Sequence, residues 1–138
     1  DTIPRTIVDL NKIVKFADKQ GILQLTPQRR NLTIVDAIIA GEKEGPLEPS
    51  PKPCGTLIAG ENPVAVDLVC SQFMGFDYCR IPTLIHAMHA HTHSIFTKAI
   101  EEVAIQADDI IPLHEVYAMY GVDFTPTSGW EGHIERTS

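Results

Sequence analysis

The sequence predicts an α/β fold, a small parallel sheet with flanking helices. Two observations carry this expectation. Residues 34–39 and 56–59 form two short, continuously apolar runs without the alternation of a half-solvated strand, so they read as neighbouring strands buried on both faces. Segments of helical spacing lie before, between and after them, and strands interleaved with helices indicate α/β layering. A chain of 138 residues is the size of one domain with one core.

The elements follow in order. Residues 4–18 carry Ile7, Leu10, Ile13, Val14 and Ala17 at helical spacing, with Asp9, Lys12 and Lys15 on the other side. This predicts an amphipathic helix packed through its isoleucine–leucine face and stopped near Gly21. Residues 32–40 give the first strand. Residues 41–55 hold Pro46, Pro49, Pro51 and Pro53 without periodicity and read as a long functional loop. The run from Gly55 to Gly60 is the second strand, after which Asn62 caps a helix and Pro63 takes its first position. That helix, 64–74, is apolar nearly all round and should be buried up to Gly75. Further helices are expected at 82–96, 97–108 (where "VAIQA" also reads as a strand) and 112–120, followed by a tail, 122–138, that wraps back over the body.

Bulk chemistry narrows the function classes. Net charge is −7, from 18 acidic and 11 basic residues, and the only dense basic spot is Arg29–Arg30, so no nucleic-acid partner is expected. No apolar run approaches the roughly 20 residues that cross a bilayer, and charges run throughout residues 1–18, so neither a membrane partner nor a signal peptide is expected. Cys54, Cys70 and Cys79 are odd in number and lack a CxxC spacing. Reduced thiols in a cytoplasmic protein follow, and no iron–sulfur cluster is expected on this chain.

Chemistry-bearing residues concentrate at the ends of the expected strands. Asp36 lies inside an apolar run, where a carboxylate must be bonded or paired. Either it accepts backbone N–H bonds as a structural acid, or it joins Glu42 and Asp67 in a catalytic acidic site at the carboxyl edge of the sheet. Converging acids there would hold a divalent metal or share proton transfer. Gly41 and Gly45 allow close approach of a ligand to the backbone, and Asn62 opens a helix N-terminus that suits a small-molecule ligand. In "HAMHAHTHS", His86, His89 and His93 fall at i, i+3 and i+7, one helical face able to chelate a transition metal. A solvated face explains the same spacing. Cys70 reads as an inert packing thiol and Cys79, beside Arg80, as the more reactive one.

The blocks "DLNKIVKFADKQG", "TPQRRNLTIVDAIIAGEKEGPLEPSPKPCGTLIAGENPVAVDLVCSQFMGFDYCRIP" and "GWEGHIE" resemble the C-terminal part of the family known as domain of unknown function 362. The resemblance runs over nearly the whole chain and is strongest from Thr26 to Pro82. Around the first strand the family pattern is similar to D-G-I-x-x-G-E-G-x-G-P. Asp36, Gly41, Glu42, Gly45 and Pro46 match it, while Ala37 and Lys43 stand where glycine is expected. Asp67 matches the N-P-V-A-V-D block. The resemblance implies a single domain, 1–138, that is a fragment or shortened form of a longer bacterial or archaeal protein, some relatives being joined to ferredoxin-type iron–sulfur modules. Two classes of function stay open: part of an enzyme with an acidic site at the strand ends, or a non-catalytic binding or redox-accessory module acting with a partner domain or iron–sulfur protein.

Overall fold

Asn62 starts the helix around which the molecule is built. The computed structural model describes residues 2–137. Within them the Asn62 side chain accepts hydrogen bonds from the N–H groups of Val64 and Ala65, and Pro63 occupies the first turn. The resulting helix runs Pro63–Phe73. It stops as glycine dictates. Gly75 sits at φ 77°, its N–H reaches the Gln72 carbonyl, and Phe76 N–H reaches that of Ser71, the paired bonds of a Schellman end. Val64, Val66, Leu68, Val69 and Phe73 are buried, and Leu68 is wholly so. All of these but Val66 meet Leu84, Phe96, Val103, Leu113, Val116 and Phe124 in one core.

The sheet differs from the expectation. Strand β1 (Thr33–Glu44) and strand β2 (Glu48–Gly60) are neighbours, as the two apolar runs imply, but they pair antiparallel as a long hairpin. The reason is the connection. Gly45, Pro46 and Leu47 alone join the strands, and a parallel crossover needs about a dozen residues or more. The expected loop at 41–55 is therefore mostly strand. Its prolines obey the ladder: Pro49, Pro51 and Pro53 pair opposite Lys43, Gly41 and Ile39, at alternate positions where the missing N–H points away from β1. The ladder breaks its register between Ala37 and Ile39, opposite Gly55 at φ 64°. Before the break Thr33, Val35 and Ala37 are the covered residues of β1; after it Ala40 and Glu42 are. The strands are not buried on both faces either. Ile34, Ile39 and Leu57 are all more than 60% exposed.

The first helix, α1 (Thr2–Phe16), turns the face opposite to the expected one to the body. Val8 and Phe16 are buried against the molecule, Lys15 donates to the Ile95 carbonyl at 3.1 Å, and Ile3, Ile7, Leu10, Ile13 and Val14 face solvent. With the helix Pro63–Phe73 numbered α2, the next, α3, is short, Pro82–Met88, and lies against α1. The expected helix at 97–108 is instead one 3-10 turn followed by strand β3 (Ala104–Gln106), paired antiparallel with β4 (Ile110–Pro112). Helix α4 spans Val116–Tyr120. Beyond it the chain returns across α2 and the hairpin. Val122 N–H bonds the Phe73 carbonyl and Phe124 N–H that of Met74, while Asp77 N–H reaches Ile134 and Arg136 N–H reaches Gly75. Among the described residues no helix is long and apolar enough to cross a membrane.

Candidate functional site

The strand-end carboxylates fall on different sides of the hairpin. Asp36, opposite Leu57, is exposed, and its Oδ1 accepts the N–H of Ile38 at 3.0 Å. This is the arrangement of a backbone-bonded structural acid. Glu42 lies beyond the register break on the covered side. There its Oε2 accepts the Lys52 ammonium at 3.1 Å and the Thr125 N–H at 2.9 Å. The Thr125 bond and the neighbouring Lys52 hold its carboxyl below the usual glutamate range, against some desolvation. Glu44 similarly accepts the Ser128 N–H at 2.8 Å. Both glutamates thus clasp the returning C-terminal segment. Asp67 is on α2 and exposed. Surrounding chain desolvates its carboxyl and raises its pKa.

The ligand-binding expectations have local structural explanations. A Cβ at Gly41 would stand 2.9 Å from the Pro49 Cβ, so glycine there lets the two strands meet. Gly45 begins the hairpin tip. Asn62 has both side-chain ends engaged, Oδ1 in the cap and Nδ2 on the Ile95 carbonyl at 3.0 Å. The histidine face does not form. Helix α3 stops at Met88, so His93 leaves the i, i+3, i+7 line; it turns at φ 51° and packs edge-on to Phe16, 5.3 Å between ring centres. Its buried Nε2 has no hydrogen-bond partner. Among the described residues no three His, Cys, Asp or Glu side chains are grouped to hold a metal. Cys70 is pushed up to about 11 by burial and by Asp67, an inert thiol. Cys79 is exposed, and its pKa is also raised, by desolvation and then by Asp77.

A concavity lies elsewhere. A cleft of about 870 Å3 opens between β2, α2 and β3. Ala65, Val66, Val69 and Phe73 of α2 form its floor, with Ile58, Val103, Ile105, Val116 and Val122 around it, and Glu61, Lys98 and Glu102 supply charge. Residues 56–62 and 103–107 line it without a gap, so two strands present their edges to it. The half-buried Cys54 also borders it. A second, more polar cavity of about 370 Å3 is bounded by Tyr78, Cys79, His114 and Arg136, with Arg136 stacked 4.8 Å from the Tyr117 ring. None of these groupings follows from sequence spacing. Lys98 and Glu102 lie on an irregular stretch, and Arg136 reaches its place only because the tail folds back.

Comparison with known proteins gives one decisive result. Residues 1–72 match the family described as "Domain of unknown function (DUF362)". The chain belongs to that family. The match takes in α1, the whole β1–β2 hairpin and α2 as far as Gln72. No curated protein and no solved structure matches the chain. The part shared with the domain of unknown function 362 family therefore supplies the β2 and α2 walls of the cleft, while the β3 wall, α4 and the returning tail lie outside the matched residues.

Proposed function

We propose that this domain is a binding module whose site is the cleft between β2, α2 and β3, and that it takes a predominantly apolar small molecule with a polar end. The observation that carries this reading is the cleft itself. Its volume of about 870 Å3 falls within the range of small-molecule sites, its walls are aliphatic and aromatic, and a few polar groups sit at its margin to orient a ligand. Glu42 favours binding over acid chemistry at the strand ends, because its Oε2 is engaged by both Lys52 and the Thr125 N–H. Asp36 adds to this by bonding its own strand.

Saturable binding of the fluorescent probe anilinonaphthalene sulfonate, one per chain, tests the reading. Ala65 is half-buried on the cleft floor, and Ala65→Phe should weaken probe binding at least tenfold while leaving the thermal melt nearly unchanged. Leu10→Ser, on the exposed face of α1, controls for dye bound to other apolar surface and should leave the cleft-bound probe in place. Equal binding by wild type and Ala65→Phe would sink the proposal.

A further inference from the structure

The second cavity is bordered by opposite charges that do not meet. Arg136 and Glu101 both line its volume of about 370 Å3. Among the described residues neither forms an ion pair, with the other or with any third group. Asp77, the other acid of the wall, is already engaged: its Oδ1 accepts the Cys79 N–H at 2.9 Å and its Oδ2 lies 3.5 Å from the Arg80 Nε. One free cation and one free acid therefore share a small concavity.

The cation is fixed in place. The Arg136 N–H bonds the Gly75 carbonyl at 3.1 Å, its guanidinium stacks 4.8 Å from the Tyr117 ring, and Nη1 donates to Gln72 Oε1. A guanidinium carries five donors in a rigid fork, so most of this one is left for a carboxylate. Gln72 adds a second donor. It is only 5% exposed, and because arginine has no acceptor, the amide oxygen is the end that Arg136 meets. The Nε2 end has no partner among the described residues, and Gln72 borders the cavity. A buried amide with unpaired N–H groups is costly unless an acceptor reaches it. The Tyr78 hydroxyl stands near both charges. Desolvation first, then Cys79, Asp77 and Glu101, push it above the usual tyrosine range, while Arg136 pulls it down.

We propose that this cavity binds a free α-amino acid with an aliphatic side chain. Its carboxylate would lie on Arg136 and the Gln72 amide, its ammonium at Glu101, and its side chain against Ile100 and Leu113. A zwitterion fits better than a simple anion, which Glu101 and Asp77 repel, and better than a simple cation, which Arg136 repels. The volume is at the low end of small-molecule sites, as a ligand of this size requires. The site shares no lining residue with the apolar cleft and does not depend on it.

Isothermal titration calorimetry of the full chain with L-leucine tests it. The expected result is one site per chain, with a dissociation constant that rises at least tenfold in Arg136→Gln and in Glu101→Gln. Arg136→Gln also gives up the stacking on Tyr117, whereas Glu101 is exposed and its amide leaves the fold intact, so the second variant decides. Leucinamide, without the carboxylate, and 4-methylpentanoate, without the amine, should each bind at least tenfold more weakly than L-leucine. Ala65→Phe, in the apolar cleft, should leave L-leucine binding unchanged. No heat of binding with millimolar L-leucine overturns the proposal. So does binding that survives Glu101→Gln, or 4-methylpentanoate binding as tightly as L-leucine, which would make this a plain anion site.

Discussion

Lys43 occupies the left-handed region at φ 66°, where a side chain costs about 1–2 kcal/mol relative to glycine. Its N–H is fixed on the Thr125 carbonyl at 2.9 Å, so the backbone has no freedom to relax. The sequence resemblance expects glycine here, and the dihedral supplies the reason. Lys43→Gly should leave stability unchanged or raise it by up to about 1 kcal/mol, the relieved strain being partly offset by the greater freedom of unfolded glycine. Lys43→Val should lower it by more than 1 kcal/mol, since a branched Cβ tolerates this region worst. Thermal melts of the two variants against wild type decide it: a valine variant as stable as glycine means the positive φ is not maintained. At the same scale, Asp36 and Glu42 were visible in the sequence as the carboxylates that matter. The backbone bond of Asp36 was among the readings, its partner Ile38 lying two residues on, but the role of Glu42 was not, because its partner Thr125 comes from 83 residues away.

At the scale of elements, β2 and α2 approach closely because Gly60 has no side chain. A Cβ there would stand 2.8 Å from Val66 Cγ2, and Val66 is 97% buried with a stiff, branched χ1, so it cannot give way cheaply. Gly60→Ala should therefore cost about 1–3 kcal/mol and move the urea midpoint down without changing the slope. A midpoint equal to wild type would mean that helix and strand slide apart freely. Helix α2 was the most legible element, since its cap, first-turn proline, all-round apolar surface and terminal glycine agree in one short stretch. The hairpin was half legible. Apolar runs located both strands, but the proline-rich segment hid the rest, although Pro49, Pro51 and Pro53 at every second position are the signature of an edge strand. Helix α1 misled because amphipathicity shows which face is apolar, not which face the body covers. The α2 wall of the cleft could be anticipated from a buried helix. The β3 wall could not, because its strand has three residues and no pattern of its own.

In the whole molecule, carboxylates hold the C-terminal segment, two reaching it from the hairpin and one bracing it from within. Glu42 accepts the Thr125 N–H, Glu44 accepts that of Ser128, and Glu135 accepts those of Gly132 and Ile134. The pKa values of Glu42 and Glu135 are both lowered, in each case chiefly by a backbone N–H bond, from Thr125 and Gly132 respectively. A carboxyl whose folded pKa is depressed contributes stability that is fully present above its unfolded value, 4.5, and is lost as pH falls through the lower folded value. Neutralising Glu42 also releases Lys52, which bonds the Asp123 carbonyl and lies 5.4 Å from the Phe124 ring. Acid should thus loosen the segment around 123–136 before it melts α2, whose cap is an uncharged asparagine. Trp130, the only tryptophan of the chain, lies in that segment and is 45% exposed. Its emission should shift to the red with a midpoint below pH 4.5 while the far-ultraviolet helix signal holds, and Glu42→Gln should show part of the shift already at neutral pH. Emission that stays constant until the helix signal collapses would mean that apolar contacts such as Phe124 against Phe73, and not the glutamates, hold the segment in place.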